Sequence, residues 1–144
     1  MATDSIAQEI ANDCIGYRVR MLNRVVSRVY DDQLRPYGVR FSQMNILTVV
    51  ALKGAVQPAE VGRVLAIEKS TLSRNVRIMD ENGWLKSEAS ASGTGNQLRL
   101  TKKGERLYEK AAKAWRRAQE QVEAMLGQTG VASIAAAVKR TRET

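Results

Sequence analysis

The sequence predicts a mainly α-helical chain that carries one small β-hairpin. Apolar residues recur at helical spacing along most of its length. Of its 144 residues, 44% are hydrophobic but only 5% aromatic, a balance that suits packed helices better than a sandwich of short strands. One stretch alone, between residues 84 and 101, reads as two strand-like runs around a string of small polar residues. The length fits a single compact unit.

A long first helix is expected over residues 5–35. Leu22, Val25, Val26, Val29 and Leu34 recur at helical spacing, Ile6 and Ile10 extend the pattern, and Arg24, Arg28 and Asp32 occupy another face. Arg35-Pro36-Tyr37-Gly38 ends it, because Pro disfavours helix in the residue before it and Gly accepts positive φ. Such a helix has more apolar surface than a small domain can cover, so it wants a partner helix. A second helix is expected from about Ser42 to Lys53, with Met44, Leu47 and Ala51 on one face and Ile46, Val50 and Leu52 widening it. Lys53-Gly54-Ala55-Val56 breaks it. A third covers Ala59 to roughly Ala66, introduced by Gln57 and Pro58 and helped by Glu60 near its N-terminus, with Val61, Val64 and Leu65 inward.

The fourth helix, Lys69 to about Asn82, is the most informative. Leu72, Val76 and Met79 form one narrow apolar stripe, while the other faces carry Ser70, Thr71, Ser73, Arg74, Asn75 and Arg77. Gly83 closes it. The hairpin follows, with strands in Trp84–Glu88 and Gln97–Thr101 and a flexible tip over residues 89–96. Thr101 can cap a fifth helix from Lys102 to about Leu126, whose apolar positions are Leu107, Ala111, Trp115, Ala118, Val122 and Met125. Gly127 and Gly130 bracket a break before a short last helix over Val131–Lys139 and a charged tail. There is no internal repeat.

Charge narrows the function. Lys and Arg number 23 against 15 Asp and Glu, a formal net charge of +8, which points to a polyanionic partner. Residues 41–104 are the most basic region, with nine Lys or Arg against five Asp or Glu. Histidine is absent, which removes the commonest general base and metal ligand. Cys14 is the single cysteine, so neither an internal disulfide nor a zinc–thiolate cluster can form. No phosphate-binding Gly motif and no spaced carboxylate ligands occur, and Asp31-Asp32 and Asp80-Glu81 are adjacent pairs that point to different helix sides. The expectation is therefore no enzyme, no metal and no cofactor. Asp4, Glu9 and Asp13 near the N-terminus do not read as a signal peptide, and the longest strongly apolar run, Ile46–Leu52, is too short to span a bilayer. A cytoplasmic location without membrane contact is expected.

Three short helices followed by a hairpin, the last helix bearing hydroxyls and guanidinium groups opposite a thin apolar stripe, is the pattern of a winged helix-turn-helix. The geometry explains it: the major groove of B-DNA, about 12 Å wide, admits one α-helix, and Arg can make bidentate contacts to guanine. Ser and Thr at the helix start lie where backbone amides and the helix dipole attract phosphate.

In the order and spacing of several segments the chain resembles the MarR family of bacterial regulators, over nearly its whole length. Those segments are Leu34-Arg35-Pro36-Tyr37-Gly38-Val39 with Ser42-Gln43-Met44-Asn45-Ile46-Leu47, then Glu68-Lys69-Ser70-Thr71-Leu72-Ser73-Arg74-Asn75-Val76, then Asn82-Gly83-Trp84-Leu85, and Leu98-Arg99-Leu100-Thr101-Lys102-Lys103-Gly104. The resemblance implies a homodimer held by a helical region, residues 1–38 and 105–144, with residues 39–104 as the winged DNA-binding region. Two such regions would read a pseudo-palindromic site in double-stranded DNA, with repression as the family's usual mode. By the same resemblance Ser70, Thr71, Ser73, Arg74 and Arg77 face DNA. Family members usually carry Asp-x-Arg at the hairpin tip; the corresponding positions here are Ser92 and Thr94, so the tip is uncharged and Lys86 and Arg99 on the strands become the alternative phosphate contacts.

Each assignment has a blander counterpart. Arg74 and Arg77 also fit a solvated helix face, as do Lys86 and Arg99. Trp115 reads as core or dimer contact. Cys14 lies roughly where MarR-type peroxide sensors keep a reactive cysteine, but Asn12-Asp13-Cys14-Ile15-Gly16 does not match their local pattern, and a quiet, partly buried thiol is the alternative. The resemblance also implies a small anionic or aromatic effector between the dimer helices and the winged region. Arg18, Arg20 and Arg24 are the candidates to meet it, against a plain role as exposed or interface arginines. Two rival functions share the basic charge: a non-specific architectural nucleic-acid binder, and a helical protein-interaction module without DNA binding.

Overall fold

The computed structural model of the protein describes residues 1–93 and 95–142. Thr94, one of the two tip positions, lies outside the described residues. Six helices and one hairpin follow in the order α1 (Ala2–Asp13), α2 (Ile15–Leu34), α3 (Phe41–Lys53), α4 (Pro58–Leu65), α5 (Lys69–Glu81), β1 (Leu85–Ala89), β2 (Asn96–Leu100) and α6 (Lys102–Arg142), with a single 3-10 turn at Arg35–Tyr37 after α2. The mainly α architecture with a hairpin wing is the one the apolar spacing predicts.

The long first helix is in fact two. Cys14 adopts extended backbone (φ −69°, ψ 113°) and its Sγ accepts the amide of Tyr17 at 3.4 Å, so it ends α1 and caps α2. Asn12, Asp13 and Gly16 around it are weak helix formers, which is why the break falls here. Conversely, the last helical segment is longer than expected. Only Gly127 leaves helical geometry (φ 70°, ψ 169°); Gly130 stays inside the helix, and α6 resumes after the kink and runs to Arg142. A positive φ of this kind is open to glycine at little cost, so Gly127 marks the kink in the sequence.

The core is shared by all elements except α1, which buries nothing. Leu34, Ile46, Leu47, Val50, Val56, Val61, Met79, Leu85 and Leu98 are fully buried. On α3 the buried face is Gln43, Met44, Ile46, Leu47, Val49 and Val50, whereas Leu52, expected to widen it, is 80% exposed. From α6 come the small residues Ala111, Ala114 and Ala118, all buried, which let it pack closely against α2. The hairpin is antiparallel with Leu85 opposite Leu100 and Lys86 opposite Arg99. A third extended residue joins it: Val56 donates to the Leu98 carbonyl at 3.1 Å and accepts the Leu98 amide at 2.8 Å. One residue pair is too short for any periodicity, so this bridge is invisible to a pattern search.

Thr101 joins the end of α5, the hairpin and α6. Its hydroxyl accepts the Gly104 amide at 3.0 Å, the helix cap expected of it, and donates to the Gly83 carbonyl, while its amide donates to the Trp84 carbonyl at 3.1 Å. Gly104 is buried in this junction, and a Cβ added there would sit 2.1 Å from the Trp84 carbonyl oxygen. Relieving such an overlap requires backbone movement. Gly104→Ala is expected to lower stability by at least about 2 kcal/mol, read as a fall in the urea midpoint at fixed protein concentration. A variant within about 0.5 kcal/mol of the parent would show that the junction yields freely.

Candidate nucleic-acid interface

Helix α5 buries Leu72 and Met79 and half-buries Val76, so the expected stripe is the attachment face. Ser70, Ser73, Arg74 and Arg77 are exposed on the other faces, and Thr71 is half-buried with its carbonyl accepting the Asn75 side-chain amide at 3.2 Å. No side chain caps the N-terminus of α5, where Glu68 is the cap residue, which leaves the first-turn amides available to an anion. The two arginines differ. Arg77 pairs with Glu81 one turn on at 3.2 Å, whereas among the described residues nothing engages the Arg74 guanidinium. A 3.2 Å pair this exposed is weak and easily exchanged.

The hairpin stands beside this helix. A groove of about 280 Å³ is lined by Ser73 and Arg77 of α5 and by Lys86 of β1, with apolar Leu72, Leu85 and Leu98 also lining it. Lys86 and Arg99 are exposed but not free. Lys86 Nζ lies 2.8 Å and Arg99 Nε 3.2 Å from the two carboxylate oxygens of Glu88. The hydrogen bond from Lys86, reinforced by the charges of Lys86 and Arg99, holds the Glu88 carboxyl below the usual carboxylate range. Sequence reasoning missed Glu88, although its place two residues from Lys86 on one strand, and hence on the same face, was the available signal.

The unit that presents α5 is tied to α2 at the start of α3. Asp31 of α2 accepts the Phe41 amide at 2.8 Å, and the Phe41 ring stacks on Tyr30 with centroids 4.1 Å apart and planes 8° from parallel. The Tyr30 hydroxyl donates to the side-chain carbonyl of Gln119 on α6. On the other side of α3, the Thr48 and Tyr108 hydroxyls lie 3.1 Å apart.

Residues 37–93, the span from the end of the 3-10 turn to the hairpin tip, match the family model described as the MarR family. An uncharacterized HTH-type transcriptional regulator of Bacillus subtilis, YwoH, is 26% identical over 93 residues, 65% of this chain and 68% of that protein. The transcriptional regulator MosR of M. tuberculosis is 28% identical with a TM-score of 0.78, covering 92% of this chain and 97% of that one. A cysteine-to-serine mutant of E. coli MarR, solved in complex with operator DNA, superposes with a TM-score of 0.81 at 18% identity over 92% of this chain and 96% of that one. Over residues 37–93 the chain is thus similar to the MarR family. YwoH and MosR, which it resembles, are both transcriptional regulators. None of the described helices is long and apolar enough to cross a membrane.

The remaining residues singled out in the sequence are scattered. Arg18, Arg20 and Arg24 are exposed on α2 and line neither of the two larger cavities. The cavity beside them, about 480 Å³ between α2 and α6, is apolar instead and is lined by Val19, Leu22, Val26, Tyr30, Phe41 and Leu126 among others. A second cavity of about 510 Å³ between α3 and α6 holds the aromatic and cationic lining the effector reading sought: Tyr108, Trp115 and Arg116, with Met44, Asn45 and Thr48 opposite. Tyr108, Trp115 and Arg116 fall at i, i+7 and i+8 on α6, a face the apolar pattern alone did not reveal as a pocket wall. Cys14 is exposed rather than partly buried, because it sits at the α1–α2 break instead of inside a helix.

Burial raises the pKa of Tyr30 above its ordinary value of 10.0, and the Glu123 carboxylate adds to the shift. A pKa higher in the folded than in the unfolded state means that the contribution is present below pH 10.0 and is lost as pH rises through the folded value. The urea midpoint should therefore fall on titration above pH 10.0, and Tyr30→Phe should fall less over the same interval. Identical alkaline losses in both proteins would remove Tyr30 from the explanation.

Proposed function

We propose that the chain is a sequence-specific, dimeric DNA-binding regulator that represses from a pseudo-palindromic operator and is released by a small-molecule or redox signal. The observation that carries this reading is α5 itself: a helix attached by a thin apolar stripe, with hydroxyls at its uncapped start, an exposed Arg74 that nothing engages among the described residues, and a hairpin cation in the adjoining groove. Arg74 and Arg77 read bases or adjacent phosphates, Ser70, Thr71 and Ser73 set the register, and Lys86 and Arg99 contact the backbone. Related chains support the partner: E. coli MarR in mutant form was solved with operator DNA, and M. tuberculosis MosR, 29% identical over 90% of this chain, was solved with DNA. Residues 39–104 are the DNA-binding region.

Residues 1–38 and 105–144 are the dimerisation region. Its support is the apolar surface that one copy leaves open along α1 and α2, where Ile6, Ile10, Ile15, Val19, Met21 and Val25 are all exposed. A second copy covers that surface and sets two α5 helices about 34 Å apart, one turn of DNA. The effector is a small aromatic anion, which the Trp115, Tyr108 and Arg116 lining suits better than the exposed Arg18, Arg20 and Arg24 do. For the redox alternative, the exposure of Cys14 makes it reachable by peroxide; release from DNA by organic peroxide in the parent but not in Cys14→Ser is the expected result, and equal release from both ends that alternative. The protein acts in the cytoplasm.

Selection of bound duplexes from a random pool at about 150 mM salt tests the main reading. Enrichment of a pseudo-palindrome with half-sites one turn apart is expected. Binding without enrichment would favour a non-specific architectural protein, and no binding would favour a protein-interaction module. On the selected site, Arg74→Ala is expected to cost about 1–3 kcal/mol and flatten base preference, measured by competition titration. Unchanged affinity and preference would remove α5 as the reading helix.

A further inference from the structure

The hairpin carries its own anion at the place where it would meet a phosphate. Between Lys86 and Arg99 the chain has no other Lys or Arg, so these two are the wing's entire positive charge. They are Cα partners across the strands, and like charges placed directly opposite one another repel. Glu88, two residues along β1 and therefore on the same face, presents one carboxylate oxygen to each, at 2.8 Å from Lys86 Nζ and 3.2 Å from Arg99 Nε. The three side chains together carry one net positive charge instead of two. Lys86 also lines the groove shared with Ser73 and Arg77 of α5, so the cluster adjoins the helix surface assigned to DNA.

Resting on that DNA-binding reading, we propose that Glu88 is an internal counter-anion of the wing that competes with DNA phosphate for Lys86 and Arg99 and so limits both affinity and salt dependence. In the free protein the carboxylate relieves the repulsion between the two cations. On binding, phosphate oxygens replace it, which is easy because the ion pairs are exposed and screened. Part of the charge of both cations is then already neutralised before DNA arrives, so fewer condensed counterions leave the duplex per molecule bound. The residue that weakens the wing in this way is the one that keeps the hairpin's cationic face from repelling itself.

The test uses the full chain and the duplex enriched by the selection above, titrated at several salt concentrations. Glu88→Gln is expected to bind roughly 3- to 10-fold tighter, with a plot of log K against log salt steeper by about one to two. Adding Lys86→Met and Arg99→Met should abolish that gain, because no cation is left to release. Circular dichroism and the urea midpoint of each variant establish that the hairpin remains folded, and Glu88→Ala repeats the test with a different shape. If the parent binds and both Glu88 variants bind with equal or lower affinity at an unchanged slope, Glu88 acts only to hold the hairpin and the proposal falls alone. If neither the parent nor the variants bind any duplex, the DNA-binding reading falls and takes the proposal with it.

Discussion

The placement of the exposed helix α5 depends above all on the contact between the first turn of α6 and the turn that follows α5. Thr101 bonds to Gly83 and Trp84 on one side and to Gly104 on the other, and Gly104 has no Cβ because the Trp84 carbonyl occupies the space. Three elements of different purpose meet there: the end of the helix with the polar face, the start of the hairpin, and the start of the helix that packs on α2. An error of a few tenths of an ångström in this contact is multiplied along α5, a helix of 13 residues. That leverage explains why the junction is built from backbone groups, one short hydroxyl side chain and one glycine, which have few alternative arrangements, and not from long side chains, which have many.

Electrostatics is arranged more sparingly than the net charge of +8 suggests. Several cations in and around the winged unit already have an acidic neighbour: Arg77 with Glu81, Lys53 and Arg63 with Glu60, Lys86 and Arg99 with Glu88. All of these pairs are at least partly exposed, so each contributes little to stability and can exchange partners. Arg74, by contrast, has no pair to break among the described residues. A polyanion approaching this surface meets cations without a carboxylate partner among the described residues, Arg74 and Lys69 on α5, beside several that must first exchange one.

Much of this was legible in the chain because the signals were long or chemically blunt. Helices α3, α4 and α5, the Pro58 start, the Gly83 stop and the Thr101 cap all fall within a residue or two of their expected places. What escaped was short or non-local. The Cys14 break depends on a single side chain capping the next helix, and the Val56–Leu98 bridge on one residue pair. Leu52 followed the apolar pattern yet faces solvent, since a helix apolar on most sides does not state which side is buried. At the site, the residue types on α5 were readable in order, whereas Glu88 between two basic residues was not, because its importance comes from the strand register that brings Arg99 across to it. Arg18, Arg20 and Arg24 were drawn to attention by charge alone, and the cavity wall beside them turned out to be apolar.

The fold also limits where a signal can act. Besides the Thr101 junction, the winged unit is held to the helical frame along a seam made by Asp31 and Tyr30 at the head of α3, by the Thr48–Tyr108 hydroxyl pair farther along it, and by Arg142 at the end of α6, whose guanidinium donates to the Val64 carbonyl in α4. Both larger cavities open on this seam and each is walled partly by α3 and partly by α6. A molecule bound in either one touches the frame and the winged unit together, so its affinity necessarily depends on the angle between them. One bound elsewhere, on α5 for instance, can compete with a partner for the same surface but has no purchase on that angle. The same reasoning applies to the break at Cys14: it lies at the far end of α2 from Asp31, some 17 positions away, so a change there reaches the seam only by altering how α2 itself is packed. Tyr30, stacked on Phe41, bonded to Gln119 and lining the apolar cavity, is therefore the side chain through which packing of the frame and orientation of the winged unit are most directly joined.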